Sequence, residues 1–442
     1  MRSLAVLGDD LLVPVGDGRR LPYANLDVAA TAPCAAVAAD AVNGLLPWYG
    51  GVHRGAGALA ERCTRSYEQA RRTVADFLGC QPDDQVVFTR NTTDAMNLLA
   101  HAVPAETVVV TFLGEHHAGL LPWRNVVRLP LPASPAQAVE AADRALRRHG
   151  PALLAVTAAS NVTGELWPVA ELAAVAHRHG ARIAVDAAQL APHRPARLDE
   201  LGIDYLTVSG HKLYAPFGTG VLAGRADWLD AATPYLSGGG ATAHVDATGH
   251  PHWTTGPARH EAGTPNLLGA VALAAVCAAL TPPARQALEH TEQHLLDRLR
   301  DGLSDIDGLH QLHLFDPGHP RVGIVSFAVT GHDSAALARR LADDHGIGVR
   351  DGLFCAHPLT RHLLAAHPGL PATAVRASIG AGTTGEHVDR LLDALRQIVH
   401  EQRGGQVEVA GDQPQPDADS DQGHRQRDER RGRRRGATVV AR

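Results

Sequence analysis

Among the 442 residues there is one lysine, Lys212, in the stretch VSGHKLYAPFG. Arginine can stand in for lysine as a surface cation. Its guanidinium stays protonated, however, so it cannot act as a nucleophilic amine. A sole lysine in an arginine-rich chain is therefore a candidate for chemistry that needs a neutral amine. Further polar residues stand just past short apolar runs. NTTDAMN (91–97) follows QVVFT, EHHAG (115–119) follows TVVVT, and SNVTG (160–164) follows ALLAVT. Asp186 and Gln189 follow RIAV, while Ser209, His211 and Lys212 follow DYLTV. Each has an ordinary use taken singly: Thr92 and Thr93 can cap a helix, Asp186 can end a strand, and His116 can pack.

Together these residues supply what pyridoxal phosphate needs. Lys212 offers the amine for a Schiff base with the cofactor aldehyde. Asp186 offers the carboxylate that keeps the pyridine nitrogen protonated, which makes the ring an electron sink. Thr92 and Thr93, at a helix start, offer hydroxyls and backbone N–H groups to the phosphate, joined by Ser209 and His211. His116 offers a flat ring to stack on the cofactor. Asn161 and Gln189 offer hydrogen bonds to its ring oxygen.

The elements that must position these groups are legible in the pattern. Between about 56 and 265, helical spacing alternates with the apolar runs QVVFT, TVVVT, ALLAVT, RIAV and DYLTVS. This alternation predicts an α/β fold with a mostly parallel sheet covered by helices. Ligands of such sheets bind beyond the carboxyl ends of the strands, where the polar residues stand. We expect a large cofactor-binding domain over 26–265 and a smaller α+β domain over 266–402, with 1–25 packing on the latter. Residues 403–442 lack a core pattern and are expected to be disordered. The apolar fraction of 45% and charged fraction of 20% are those of a soluble protein. A net charge of -6 argues against general nucleic-acid binding. The N-terminus makes a poor signal peptide, and no segment reads as a membrane span. The five cysteines (34, 63, 80, 277 and 355) are scattered and odd in number, without C-x-x-C or H-E-x-x-H spacing. The expectation is a reduced, cytoplasmic protein without a disulfide framework or structural metal.

The ordered set VHRG (52–55), NTTDAMN, EHHAG, SNVTGE, VDAAQ, SGHK, RHEAGTPN (259–266), VRDGLFCAHPL (349–359) and RASIG (376–380) resembles class V aminotransferase-fold enzymes. Within that family it is similar to the cysteine desulfurase and selenocysteine lyase branch of the SufS type, over about residues 21–402. The resemblance implies PLP-dependent fold type I, with Lys212, Asp186, His116, Thr92, Thr93, Ser209, His211, Asn161 and Gln189 in the roles given above. It implies that Gly263 and Thr264 reach the phosphate of a second subunit, hence a homodimer. Arg376 would grip the substrate α-carboxylate, with Arg350 and His53 near the substrate. Cys355 would take sulfur from L-cysteine as a persulfide, leave L-alanine, and pass the sulfur to an acceptor protein. The alternative is an aminotransferase, epimerase or C–S lyase acting on another amino acid, with Cys355 as a packing residue. The chain departs from the family at Leu353 and Phe354, where the family loop often reads G-H-H-C, and at Gly119 and Gly51, where asparagine is usual.

Overall fold

The computed structural model describes residues 4–411, with side chains to residue 401. The described residues up to Gln397 form one compact unit. The second unit starts at Ile398, and its described part is the end of the helix Gly385–Gly411. That helix runs into the segment expected to lack structure; residues 412–442 lie outside the described residues.

Seven strands form the main sheet among the described residues. They are β1 (Asp84–Thr89), β2 (Val109–Phe112), β3 (Val126–Leu129), β4 (Leu153–Thr157), β5 (Arg182–Asp186), β6 (Tyr205–Ser209) and β7 (Gly220–Arg225). Their order is β1-β7-β6-β5-β4-β2-β3. Strands β2 to β6 pair in parallel, and β7 lies antiparallel between β6 and β1. Strands β4 and β6 are buried at every position, as central parallel strands with helices on both faces must be. The register sets Thr157 opposite Asp186 and Asp186 opposite Thr207. The carboxyl ends of β4, β5 and β6 therefore finish side by side.

Helix α1 (Ala36–Leu45) and helix α2 (Ala58–Leu78) pack with α4 (Leu267–Ala279) in the core of this lobe; α3 (Thr92–Ala102) follows β1. Helix α2 turns Cys63, Tyr67, Ala70, Val74 and Leu78 inward at intervals of three and four, and Gly79 ends it with φ 68°. Helix α4 was expected to open the smaller domain. It packs on α1 and α2 instead, because LLGAVALAAVCAA is apolar all round and is stable only when enclosed.

A second sheet holds β8 (Leu309–Gln311), β9 (Ile324–Val329), β10 (Arg350–Gly352) and β11 (Ala374–Ser378), antiparallel in the order β8-β9-β11-β10. Residues Ala24 and Asn25 pair in parallel with Ile347 and Gly348, which ties the N-terminal segment to this lobe. Among the described residues, no single helix is long and apolar enough to cross a membrane.

Candidate active site

A cavity of about 490 Å³ opens where the strand ends of the main sheet meet the loop after β10. Its first wall is the start of α3, where Thr92 and Thr93 line the space. Asn91 caps this helix by accepting a hydrogen bond from the Asp94 N–H. Gly220 of β7 allows the approach, since a Cβ there would lie 2.5 Å from the Asn91 Cα. Ser209 and His211 follow β6 into the same wall. The hydroxyls of Thr92 and Ser209 are buried without a hydrogen-bond partner. Such orphaned groups cost about 1–3 kcal/mol each, and an anion at a helix N-terminus would satisfy them. The residues present therefore fit a phosphate. His211 is steadied by a 3.0 Å contact between its Nδ1 and the Thr31 hydroxyl, and burial lowers its pKa.

The floor carries Lys212, Asp186 and His116. The accessible surface Lys212 retains opens to the cavity it lines, and burial brings its amine down to about 8. Asp186 opposes that shift, while Arg376 adds to it. Asp186 is itself buried, which raises its carboxyl pKa against the pull of Lys212; its Oδ1 accepts from the Ala188 N–H at 2.9 Å. His116 is brought to about 3, mainly by burial and then by Lys212, so its ring is neutral. Its Nδ1 accepts from the Ala118 N–H, which leaves the proton on Nε2. Asn161 and Gln189 line the cavity, yet each already donates one N–H to a backbone carbonyl, Phe354 and Ala29 respectively. One N–H on each remains for a ligand.

The opposite wall carries the cysteine loop and two arginines. Phe354 and Cys355 are both left-handed, with φ of 52° and 53°, a costly conformation for residues bearing a Cβ. Three hydrogen bonds hold it: Asn161 Nδ2 to the Phe354 carbonyl at 2.7 Å, the His117 N–H to the Cys355 carbonyl at 2.8 Å, and the Ala356 N–H to the Leu353 carbonyl at 3.0 Å. The bend buries the Phe354 ring in the smaller lobe's core and leaves Cys355 exposed on the cavity. Arg376 donates from Nη1 to the Asn161 carbonyl at 2.9 Å, and its guanidinium lies 5.2 Å from the Phe354 ring. Its Nε is buried without a partner, and burial lowers its pKa to about 10.

Three expected site residues stand elsewhere. His53 lies outside this cavity; its Nε2 bonds Glu68 at 2.7 Å, and with Gly263 it lines a second cavity of about 520 Å³. Gly263 and Thr264 are exposed and do not line the first cavity. Residues that sequence reasoning missed are Asp27, Thr31 and Glu115. Glu115 is buried, accepts from the Thr157 N–H at 3.0 Å, and is pushed well above its ordinary pKa by burial. Its place in EHHAG beside His116 was the available signal. Thr31 and Asp27 carried none, because they reach the site from the N-terminal segment through the fold alone.

The chain matches the family described as Aminotransferase class-V over residues 24–391. A cysteine desulfurase of Klebsiella pneumoniae is 36% identical over 393 residues, covering 85% of this chain and 93% of that protein. One from Escherichia coli O157:H7 is 34% identical, covering 86% and 94%. Among solved structures, an Escherichia coli cysteine desulfurase in S-sulfonic acid form superposes with a TM-score of 0.75 at 32% identity, covering 86% of this chain and 95% of that one. An apo cysteine desulfurase from Thermococcus onnurineus gives 0.78 at 30% identity, covering 91% and 100%. With the lysine, the aspartate and the orphaned hydroxyls converging as that fold requires, the chain belongs to the class V aminotransferase family.

Proposed function

We propose that the protein is a pyridoxal phosphate-dependent cysteine desulfurase, converting L-cysteine to L-alanine with a persulfide left on Cys355. The observation that carries this reading is the exposed Cys355 on the same cavity as Lys212, Asp186 and Arg376. Thr92, Thr93, Ser209 and His211 would hold the cofactor phosphate, Asp186 its ring nitrogen, His116 its face, and Asn161 and Gln189 its ring oxygen. Lys212 would hold its aldehyde carbon. The bound cofactor supplies an electron sink for charge at the substrate Cα.

The chain's own groups do the rest. Arg376 orients the substrate through its carboxylate, using the donors that the Asn161 carbonyl leaves free. The Lys212 amine, lowered to about 8, takes and returns the Cα proton near neutral pH. Cys355 Sγ bonds to the substrate sulfur as the carbon–sulfur bond breaks. The electron pair goes to carbon, which is protonated, so one thiol and L-cysteine give a persulfide and L-alanine. The exposed Gly263 and Thr264 support a homodimer in which they complete the partner's phosphate site, and the exposed Cys355 supports delivery of sulfur to an acceptor protein.

The test is incubation with L-cysteine, product identification, and the mass of the peptide carrying Cys355. Wild type should release alanine and gain one reductant-labile sulfur on that peptide. Cys355→Ser should still bind L-cysteine and lose alanine formation by about 100-fold or more. Turnover of Cys355→Ser at the wild-type rate, or pyruvate with sulfide as products, would overturn the reading.

A further inference from the structure

Three arginines are buried among the described residues: Arg285, Arg321 and Arg376. A buried charge is tolerated when it is paired. Glu165 lies 3.7 Å from Arg321, and Asp27 lies 3.4 Å from Arg376. Arg285 forms no ion pair among the described residues; Glu289, one turn further along its helix, acts on it only from a distance. Its Nη1 donates to the Ala191 carbonyl at 2.9 Å, and its guanidinium lies 4.9 Å from the Phe77 ring. Burial outweighs the pull of its neighbours and lowers its pKa. The cation is therefore held in place without a counter-charge.

Arg285 lines a cavity of about 790 Å³ that shares no residue with the one lined by Lys212. This cavity lies between the ends of α2 and α4, the segment after β5, and the start of helix α5 (Pro282–Ser304). The first two positions of α5 are prolines, which have no N–H to offer, so the donors here are those of Arg285. Arg197, also on this cavity, is spent on Asp199 at 2.6 Å and Glu200 at 2.9 Å. Asp76 and Glu289 line the cavity too and enter no ion pair among the described residues. Phe77 and Leu280 give it an apolar face. One unanswered cation thus shares a cavity with two unanswered carboxylates. A bare anion would meet the carboxylates, and a bare cation would meet the guanidinium. A molecule carrying both charges satisfies both.

We propose that this cavity is a second ligand site, separate from the catalytic one, and that it takes a free amino acid, as the zwitterion, with an apolar side chain. The ligand's carboxylate pairs with the Arg285 fork, whose planar guanidinium can give two parallel N–H bonds. Its ammonium is drawn to Glu289 and Asp76, and its side chain covers Phe77 and Leu280. A roomy cavity with an apolar face and a few convergent polar groups is the usual form of a small-molecule site. The ligand supplies the counter-charge that Arg285 lacks, so binding also stabilises the folded chain. The site uses none of the groups that serve desulfuration.

The experiment uses the holoenzyme reduced with borohydride, which fixes the cofactor and stops amino acids from joining it. L-leucine, isocaproate and isopentylamine are titrated by calorimetry into this protein and into its Arg285→Gln variant. The last two ligands keep the apolar side chain of L-leucine but carry one charge each. L-leucine should bind at one site per chain, about tenfold or more tighter than either single-charge analogue. Arg285→Gln should weaken L-leucine by about tenfold or more. L-leucine should also raise the melting temperature of the wild type and not that of the variant. No saturable binding, or isocaproate binding as tightly as L-leucine, would overturn the proposal. L-leucine binding unchanged in Arg285→Gln would put the ligand at Arg376 and would overturn it equally. Should Arg285→Gln fail to fold, Glu289→Gln serves. It should weaken L-leucine and not isocaproate, and an equal effect on the two, or none on either, overturns the proposal. Alanine formation from L-cysteine is read in no arm, so a failure here leaves the desulfurase reading intact.

Discussion

Replacing Asp186 with asparagine removes one charge from the cavity floor and little volume. Wild-type Lys212 is brought from 10.5 to about 8, chiefly by burial, while Asp186 works in the opposite direction. At pH 7 an amine of pKa about 8 is neutral in roughly one molecule in ten, against roughly one in three thousand for an ordinary lysine. The structure thus raises the reactive fraction about 300-fold at that pH. Only the neutral amine can capture the cofactor aldehyde. In cofactor-stripped protein the capture rate should therefore climb with pH through a midpoint near 8 and level off above it, followed by absorbance after rapid mixing. Asp186→Asn keeps an oxygen to accept the Ala188 N–H but loses the charge that favours protonated Lys212. The amine pKa should fall by on the order of one unit, and the profile should move to lower pH. Weaker cofactor binding in the variant would scale the amplitude at every pH and is separable from the midpoint. A profile that stays in place or moves to higher pH, or a wild-type midpoint near 10, would refute the electrostatic reasoning.

Borohydride reduction of the holoenzyme should fix the cofactor on the peptide carrying Lys212; with no second lysine in the chain, recovery elsewhere would remove the covalent role. Gly220→Ala should abolish cofactor retention, since the new Cβ would lie 2.5 Å from the Asn91 backbone and displace the start of α3; full occupancy in the purified variant would contradict this. Glu261→Ala should cost about 3–5 kcal/mol in urea unfolding. Glu261 accepts from the Phe88 N–H, the Tyr67 hydroxyl and both Arg71 Nη groups, and its removal leaves the Phe88 N–H and Tyr67 hydroxyl unpaired and the Arg71 guanidinium with only Glu68 and the Val86 carbonyl. A loss below about 1 kcal/mol would show that Arg71 finds other partners.

Local pattern determined a good deal by itself. The strands QVVFT, ALLAVT and DYLTVS were visible because a strand buried on both faces must be continuously apolar, and the polar residues at their ends marked the ligand-binding edge. Lys212 was marked by a property that no fold can alter, the chemistry that separates an amine from a guanidinium. The sequence also placed α4 in the smaller domain, since connectivity alone does not say which apolar face a helix will cover; packing against α1 and α2 decided that. Only the tertiary structure showed Asp27 between Arg350 and Arg376. Those residues are more than 300 positions apart in the chain, and an aspartate after an apolar run carries no local sign of its partners. The same holds for the bend at Phe354 and Cys355. Its two left-handed residues are not glycines, and the glycine in GLFCA, Gly352, falls before the bend and does not mark it. The conformation is imposed by the Asn161 side chain and the His117 N–H, which arrive from other strands' ends. Residue type determined which reactions were available. Long-range pairing decided which charges meet, because electrostatic neighbours are set by distance in space and not by separation along the chain.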